Sequence, residues 1–133
     1  MSTAHPGLAR WHAYMESAGD TAALSAIIAE TCVFHSPVVH TPQAGKPVVM
    51  AYLLAAAQVL GNDSFRYVRE IACGEDMMLE FVTEIDGIAI NGIDIIRWDS
   101  DGKISDFKVM VRPLKAINKV WEMMGAQLAK AKG

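Results

Sequence analysis

Over residues 64–112 the periodicity of the apolar side chains changes from helical to alternating, and three short turn sequences interrupt the pattern. The turns are Gly74-Glu75-Asp76, Asp86-Gly87 and Asp99-Ser100-Asp101-Gly102. Alternation of this kind bounded by Asp and Gly predicts strands over 64–73, 77–85, 88–98 and 103–112. Asp86-Gly87 between two β-rich runs is the sharpest hairpin signal. Links this short join antiparallel neighbours, so this half of the chain reads as a four-stranded meander.

Helical spacing dominates elsewhere. Leu8, Trp11, His12 and Met15 recur in phase, which predicts a first helix over 6–18 with Pro6 in its opening turn. Gly19 stops it, and Asp20 is placed to cap a second helix over 21–30 that carries Leu24, Ile27 and Ile28 on one side. Residues 32–36 read as a short strand ended by Pro37, and 38–46 as a loop. A third helix over 47–60 holds Val49, Leu53, Ala56 and Leu60 in phase, and Gly61-Asn62-Asp63 ends it. Pro113 opens a final helix with an apolar stripe of Leu114, Ile117, Val120, Trp121, Met124 and Leu128. Lys130 and Lys132 fall near its C-terminal end, where cations suit the helix dipole. Helices followed by strands predict an α+β layer arrangement, with a curved antiparallel sheet wrapped around the helices and an apolar pocket between them. No repeat or linker divides the chain, so one domain is expected over residues 1–133.

Composition agrees with one packed core, since 52% of 133 residues are hydrophobic. The formal net charge is −3 and no run of Lys or Arg exists, which gives no electrostatic case for nucleic acid. No apolar run is long enough to span a bilayer, and residues 1–10 lack the pattern of a secretory leader. Cys32 and Cys73 are two cysteines without CxxC spacing, read as buried free thiols of a reducing compartment. A cytoplasmic location follows as the expectation. No histidine pair has metal-ligand spacing, so neither metal nor cofactor is expected.

Alternation also assigns the faces. In the second meander strand Met77, Leu79, Phe81, Thr83 and Ile85 must face the helices, because the other set would bury Glu80 and Glu84 unpaired. In the third, Asp94 falls in the apolar set with Ile88, Ile90, Gly92, Ile96 and Trp98. A carboxylate there has three explanations: an exposed sheet face, a hydrogen-bonded structural role, or a pocket that raises its pKa.

The run Gly92-Ile93-Asp94-Ile95-Ile96-Arg97-Trp98-Asp99-Ser100-Asp101-Gly102-Lys103-Ile104 resembles the signature of the nuclear transport factor 2-like superfamily. Gly19-Asp20, Val33-Phe34-His35-Ser36-Pro37-Val38 and Gly45-Lys46 fit the same pattern in order. The resemblance is closest to SnoaL-like proteins and ketosteroid isomerases, over roughly residues 11–112. It implies a cystatin-like cone, a pocket open to small hydrophobic molecules, and a homodimer formed through the outer sheet face. It leaves activity open, because this architecture hosts isomerases, cyclases, hydrolases, dehydratases and plain binders.

Ketosteroid isomerases use a general-base Asp together with a Tyr and a protonated Asp that hold the oxyanion. Matched position by position, the protonated Asp falls on Asp94, the first-helix Tyr on His12, and the general-base Asp on Ser36. Ser is no base at neutral pH, so steroid isomerisation by that route is disfavoured. The final helix is a further departure. The resemblance makes Asp94 and His12 the candidate catalytic pair, acting on a carbonyl-bearing ring compound. Tyr52, Ser36, His35, Met77, Leu79, Phe81, Trp98, Trp11 and Met15 are the candidate pocket residues. The alternatives are a non-catalytic ligand-binding or accessory module, and a scaffold that uses the sheet face for a protein partner.

Overall fold

The computed structural model describes residues 5–132, so residues 1–4, part of the segment read above as no leader, lie outside it, as does Gly133. Helix α1 spans Pro6–Glu16, α2 Thr21–Ser25, α3 Lys46–Leu60 and α4 Leu114–Lys132. Strands are β1 Ile28–His35, β2 Gln43–Ala44, β3 Arg66–Cys73, β4 Asp76–Ile85, β5 Ile88–Trp98 and β6 Ile104–Arg112.

Local chemistry sets the boundaries. The His5 ring accepts a hydrogen bond from the Gly7 N–H ahead of Pro6 at the start of α1. Ala18 and Gly19 take positive φ and break the chain direction, and the Asp20 carboxylate then accepts from the Ala22 and Ala23 N–H groups. The second helix is shorter than its pattern predicts. Ile28 pairs with Ile104 of β6, and the Ile104 N–H donates to the Ile27 carbonyl at 2.7 Å. Sheet pairing of these β-branched residues overrides the helical phase and draws 28–30 into β1.

The six strands form one sheet in the order β2-β1-β6-β5-β4-β3. The meander from β3 to β6 is antiparallel throughout, as alternation predicts. The sheet is not wholly antiparallel, because β1 runs parallel to β6. Strand β1 reaches that position from the helical half of the chain, so no tight turn constrains its direction.

The helices cover one face. Met77, Leu79, Phe81, Thr83 and Ile85 are all buried there, as are Ile90, Gly92, Asp94, Ile96 and Trp98 of β5. One part of the core gathers Trp11, Tyr14, Phe34, Ile96 and Phe107 under α1. Another packs Val59, Phe81 and Ile90 against Ala116, Val120 and Met124 of α4. Gly92 joins the two by omission: a Cβ there would lie 2.2 Å from the Phe81 ring, so the aromatic ring lies against bare backbone. Cys32 is buried but Cys73 is exposed, which corrects the reading of both thiols as core. No helix among the described residues is long and apolar enough to cross a membrane.

Candidate active site

A cavity of about 340 Å³ opens between the sheet and the helices. Helix α1 contributes Trp11, Tyr14 and Met15, the loop after β1 contributes Ser36, Pro37 and Val38, and α3 contributes Leu53 and Gln58. Phe81, Asp94, Phe107 and Val109 form its floor, and Val120 and Met124 bring α4 into its wall. Asp94 is the one carboxyl in the lining, which holds no Lys or Arg.

Asp94 is 7% exposed. Among the described residues its carboxyl has a single hydrogen-bond partner, the Tyr67 hydroxyl, which donates to Oδ2 at 2.6 Å. The Trp11 indole Nε1–H donates in turn to Tyr67 Oη at 2.9 Å. Three elements therefore meet at one carboxyl: α1 through Trp11, β3 through Tyr67 and β5 through Asp94 itself. Burial pushes the Asp94 pKa up to about 7, and the Tyr67 hydrogen bond opposes part of that rise. Burial and the Asp94 charge push the Tyr67 phenol well above its ordinary value, so it stays protonated and remains a donor. A carboxyl balanced near neutrality in an apolar cavity can both take and return a proton.

Tyr14 differs from Tyr67. It is 3% exposed, and its hydroxyl, closed off from solvent, has no hydrogen-bond partner among the described residues. Burial raises its pKa as well.

Of the residues singled out from sequence, Trp11, Met15, Ser36, Phe81 and Asp94 lie around the cavity, and six do not. His12 turns away from it, with Nε2 2.7 Å from Glu70 Oε2, and touches Tyr67 only edge-on. His35 bonds Asp106 across the β1–β6 pair, and Tyr52 stacks on Phe34 behind the lining. Met77, Leu79 and Trp98 are core residues, the Trp98 Nε1–H reaching Met77 Sδ at 3.4 Å. Their strands do face inward, but they occupy the end of the sheet filled by α1, where a Cβ on Gly7 would meet the Trp98 ring at 2.4 Å.

Tyr67 and Tyr14 escape a reading that looks for acids and histidines. Their signals are present: Tyr67 on β3 follows Phe65 at the two-residue spacing of a strand, and Tyr14 follows Trp11 by three residues on α1. Among the described residues no group of three or more His, Cys, Asp or Glu side chains converges to hold a metal.

The cone of helices in a curved sheet, with one buried acid on the third meander strand, defines a class that comparison identifies. A family model described as a SnoaL-like domain matches residues 8–107. The chain belongs to this SnoaL-like family, within the nuclear transport factor 2-like superfamily. It is similar to a steroid delta-isomerase from Pseudomonas aeruginosa, with 38% identity, a TM-score of 0.87, and coverage of 94% of this chain and 90% of that one. A protein with a cystatin-like fold from Silicibacter pomeroyi shares 32% identity at a TM-score of 0.84, over 92% and 85% of the two chains. A protein with a ketosteroid isomerase-like fold from Catenulispora acidiphila shares the fold alone, at 14% identity and a TM-score of 0.63 over 86% and 91%. No curated protein sequence matches the chain.

Proposed function

We propose that this protein is a cofactor-independent isomerase that moves a proton within a small apolar carbonyl compound, with Asp94 as the acid–base group. The observation that carries this reading is a lone carboxyl, its pKa near 7, in the wall of an apolar cavity. The ionised Asp94 takes a proton from a carbon next to the carbonyl. The C–H electron pair enters a new C=C bond, and the carbonyl π pair moves onto oxygen. Return of the same proton to a conjugated carbon restores both the carbonyl and the carboxylate, so nothing is consumed. Tyr67 keeps its O–H on Oδ2 throughout and holds the carboxyl in orientation.

The similarity to a steroid delta-isomerase supports this reaction class and a fused-ring ketone as substrate. The cavity volume falls within the ordinary range for small-molecule pockets. The route departs from the one implied by resemblance, because the base position there is Ser36 here, and a hydroxyl cannot take that proton unaided. The test is isomerisation of β,γ-unsaturated ketones, a steroid among them, followed by absorbance of the conjugated product. Asp94→Asn should abolish turnover while the fold persists; equal rates for the variant and the wild type would sink the proposal.

Ser36 also supports a second reading, a non-catalytic module that binds an apolar ligand and anchors one polar group at Asp94. Tight ketone binding with no turnover across the panel would favour it. A second copy of the chain is the partner proposed for the outer sheet face, where Val68, Ile71, Met78 and Met110 are exposed beside Glu80 and Arg97. Gel filtration at the mass of one chain would remove that proposal.

A further inference from the structure

Two consecutive residues of α1 reach the same strand. Trp11 donates to Tyr67 Oη at 2.9 Å, and His12 Nε2 lies 2.7 Å from Glu70 Oε2. Both partners stand on β3, three residues apart, a spacing that puts side chains on opposite faces of a regular strand. A β-bulge changes this. Tyr67 pairs with Phe81, but Arg69 pairs with Glu80 and Glu70 with Leu79, which leaves Val68 as the extra residue. Phe81 and Leu79 both face the helices, and directly paired residues share a face, so Tyr67 and Glu70 both look toward α1. Strand β3 is an edge of the sheet, and these two contacts fasten α1 to it. His12 and Glu70 stand outside the cavity lining, with side chains 37% and 32% exposed.

We propose that His12 and Glu70 are positioning residues for the proton transfer: their contact docks α1 on β3 so that Trp11 meets Tyr67, and Tyr67 meets Asp94, in the geometry the reaction uses. The inference rests on the proton-transfer reading of Asp94 and adds a control on that carboxyl from outside the cavity. An imidazole donates from Nε2 whether neutral or protonated, so the clasp needs a hydrogen bond and not a charge. Its two possible actions on Asp94 have opposite signs. A Tyr67 hydroxyl that loosens from Oδ2 favours the ionised carboxyl less, so opening the clasp raises the Asp94 midpoint. Removing the Glu70 charge as such would lower it. The Tyr67 phenol is pushed up by burial and by Asp94 first, and by the Glu70 charge least, so the field of Glu70 is the weaker action. Among titratable side chains the cavity lining adds only Tyr14 to Asp94.

The test compares Glu70→Ala and His12→Ala, which open the clasp, with Glu70→Gln and His12→Gln, which replace either partner by an uncharged amide of matching reach. The Asp94 midpoint is read from the carbon NMR signal of its carboxyl, assigned by its loss in Asp94→Asn, and the exchange of the Trp11 indole N–H with solvent is followed alongside. Both alanine variants should raise the midpoint by about half a pH unit, a fraction of what one hydrogen bond to a carboxylate is worth, and should speed the Trp11 exchange. Both glutamine variants should keep the wild-type values. Glutamine variants that shift as far as the alanine ones, or an alanine variant whose midpoint stays or falls, would overturn the proposal. If one alanine variant does not fold, the other opens the same contact and decides. On a β,γ-unsaturated ketone the pH profile of kcat/KM should move with the midpoint. Midpoints that shift as stated in a protein without ketone turnover would leave the clasp's hold on Asp94 standing and remove the proton-transfer reading. Turnover that requires Asp94, with the midpoint unmoved in the alanine variants, would keep that reading and remove the positioning role.

Discussion

Tyr67 and Asp94 stand on strands that are not neighbours, yet the phenol oxygen of one lies 2.6 Å from the carboxyl of the other. Strand β4 runs between them, with Phe81 paired to Tyr67 on one side and Leu79 paired to Asp94 on the other. The tyrosine reaches diagonally over this strand. Its hydroxyl is held from behind by Trp11, so the contact depends on α1 being docked.

The first prediction concerns stability against pH. Asp94 titrates near 7 in the folded chain and near 3.8 as a free side chain, so between those values the native state holds a proton that the unfolded state has released. Stability should therefore fall as pH rises through this window, by an amount on the order of 4 kcal/mol at most. Asp94→Asn should remove the trend, matching wild type near pH 4 and exceeding it at pH 8. Chemical denaturation at the two pH values checks this, and a parallel loss in wild type and variant would contradict it.

The second concerns the pH dependence of turnover. A base of pKa about 7 gives a kcat/KM that climbs with pH and levels off above neutrality. Tyr67→Phe removes the donor that favours the ionised carboxyl, which shifts the climb to higher pH. Trp11→Phe should shift it in the same direction by less, because the phenol loses a partner but stays in place. A profile that does not move in either variant would mean that the hydrogen-bond chain does not govern Asp94.

The third concerns packing at the cavity floor. Gly92→Ala puts a methyl 2.2 Å from the Phe81 ring and 2.9 Å from the Met110 carbonyl. Overpacking of this kind costs about 1–3 kcal/mol. Because Phe81 also lines the cavity, ligand affinity should fall together with the melting temperature. Adding Phe81→Leu should recover part of the stability. If Gly92→Ala alone melts like wild type, the close approach is not a constraint.

Much of the architecture was legible because the two central meander strands, β4 and β5, alternate along their length. Every residue assigned inward on β4 is buried, and Asp94 falls inward by the same count. What periodicity cannot supply is position along the strand. Met77, Leu79 and Phe81 share one face, but only Phe81 reaches the cavity, since the end nearer Met77 is filled by α1. Helix phase has a similar limit: Trp11 and His12 are consecutive, and the angle between them separates a lining residue from one bound to Glu70. The parallel pairing of β1 is invisible locally, because its partner lies far along the chain.

The family match ends at residue 107, and α4 begins after it at Leu114. Val120 and Met124 of that helix nevertheless shape one side of the cavity. Asp94 and most of the cavity lining thus lie within the family match, whereas one side of the wall is encoded beyond it. Substitution in that terminal helix can therefore reshape the cavity while the Trp11–Tyr67–Asp94 chain is left untouched.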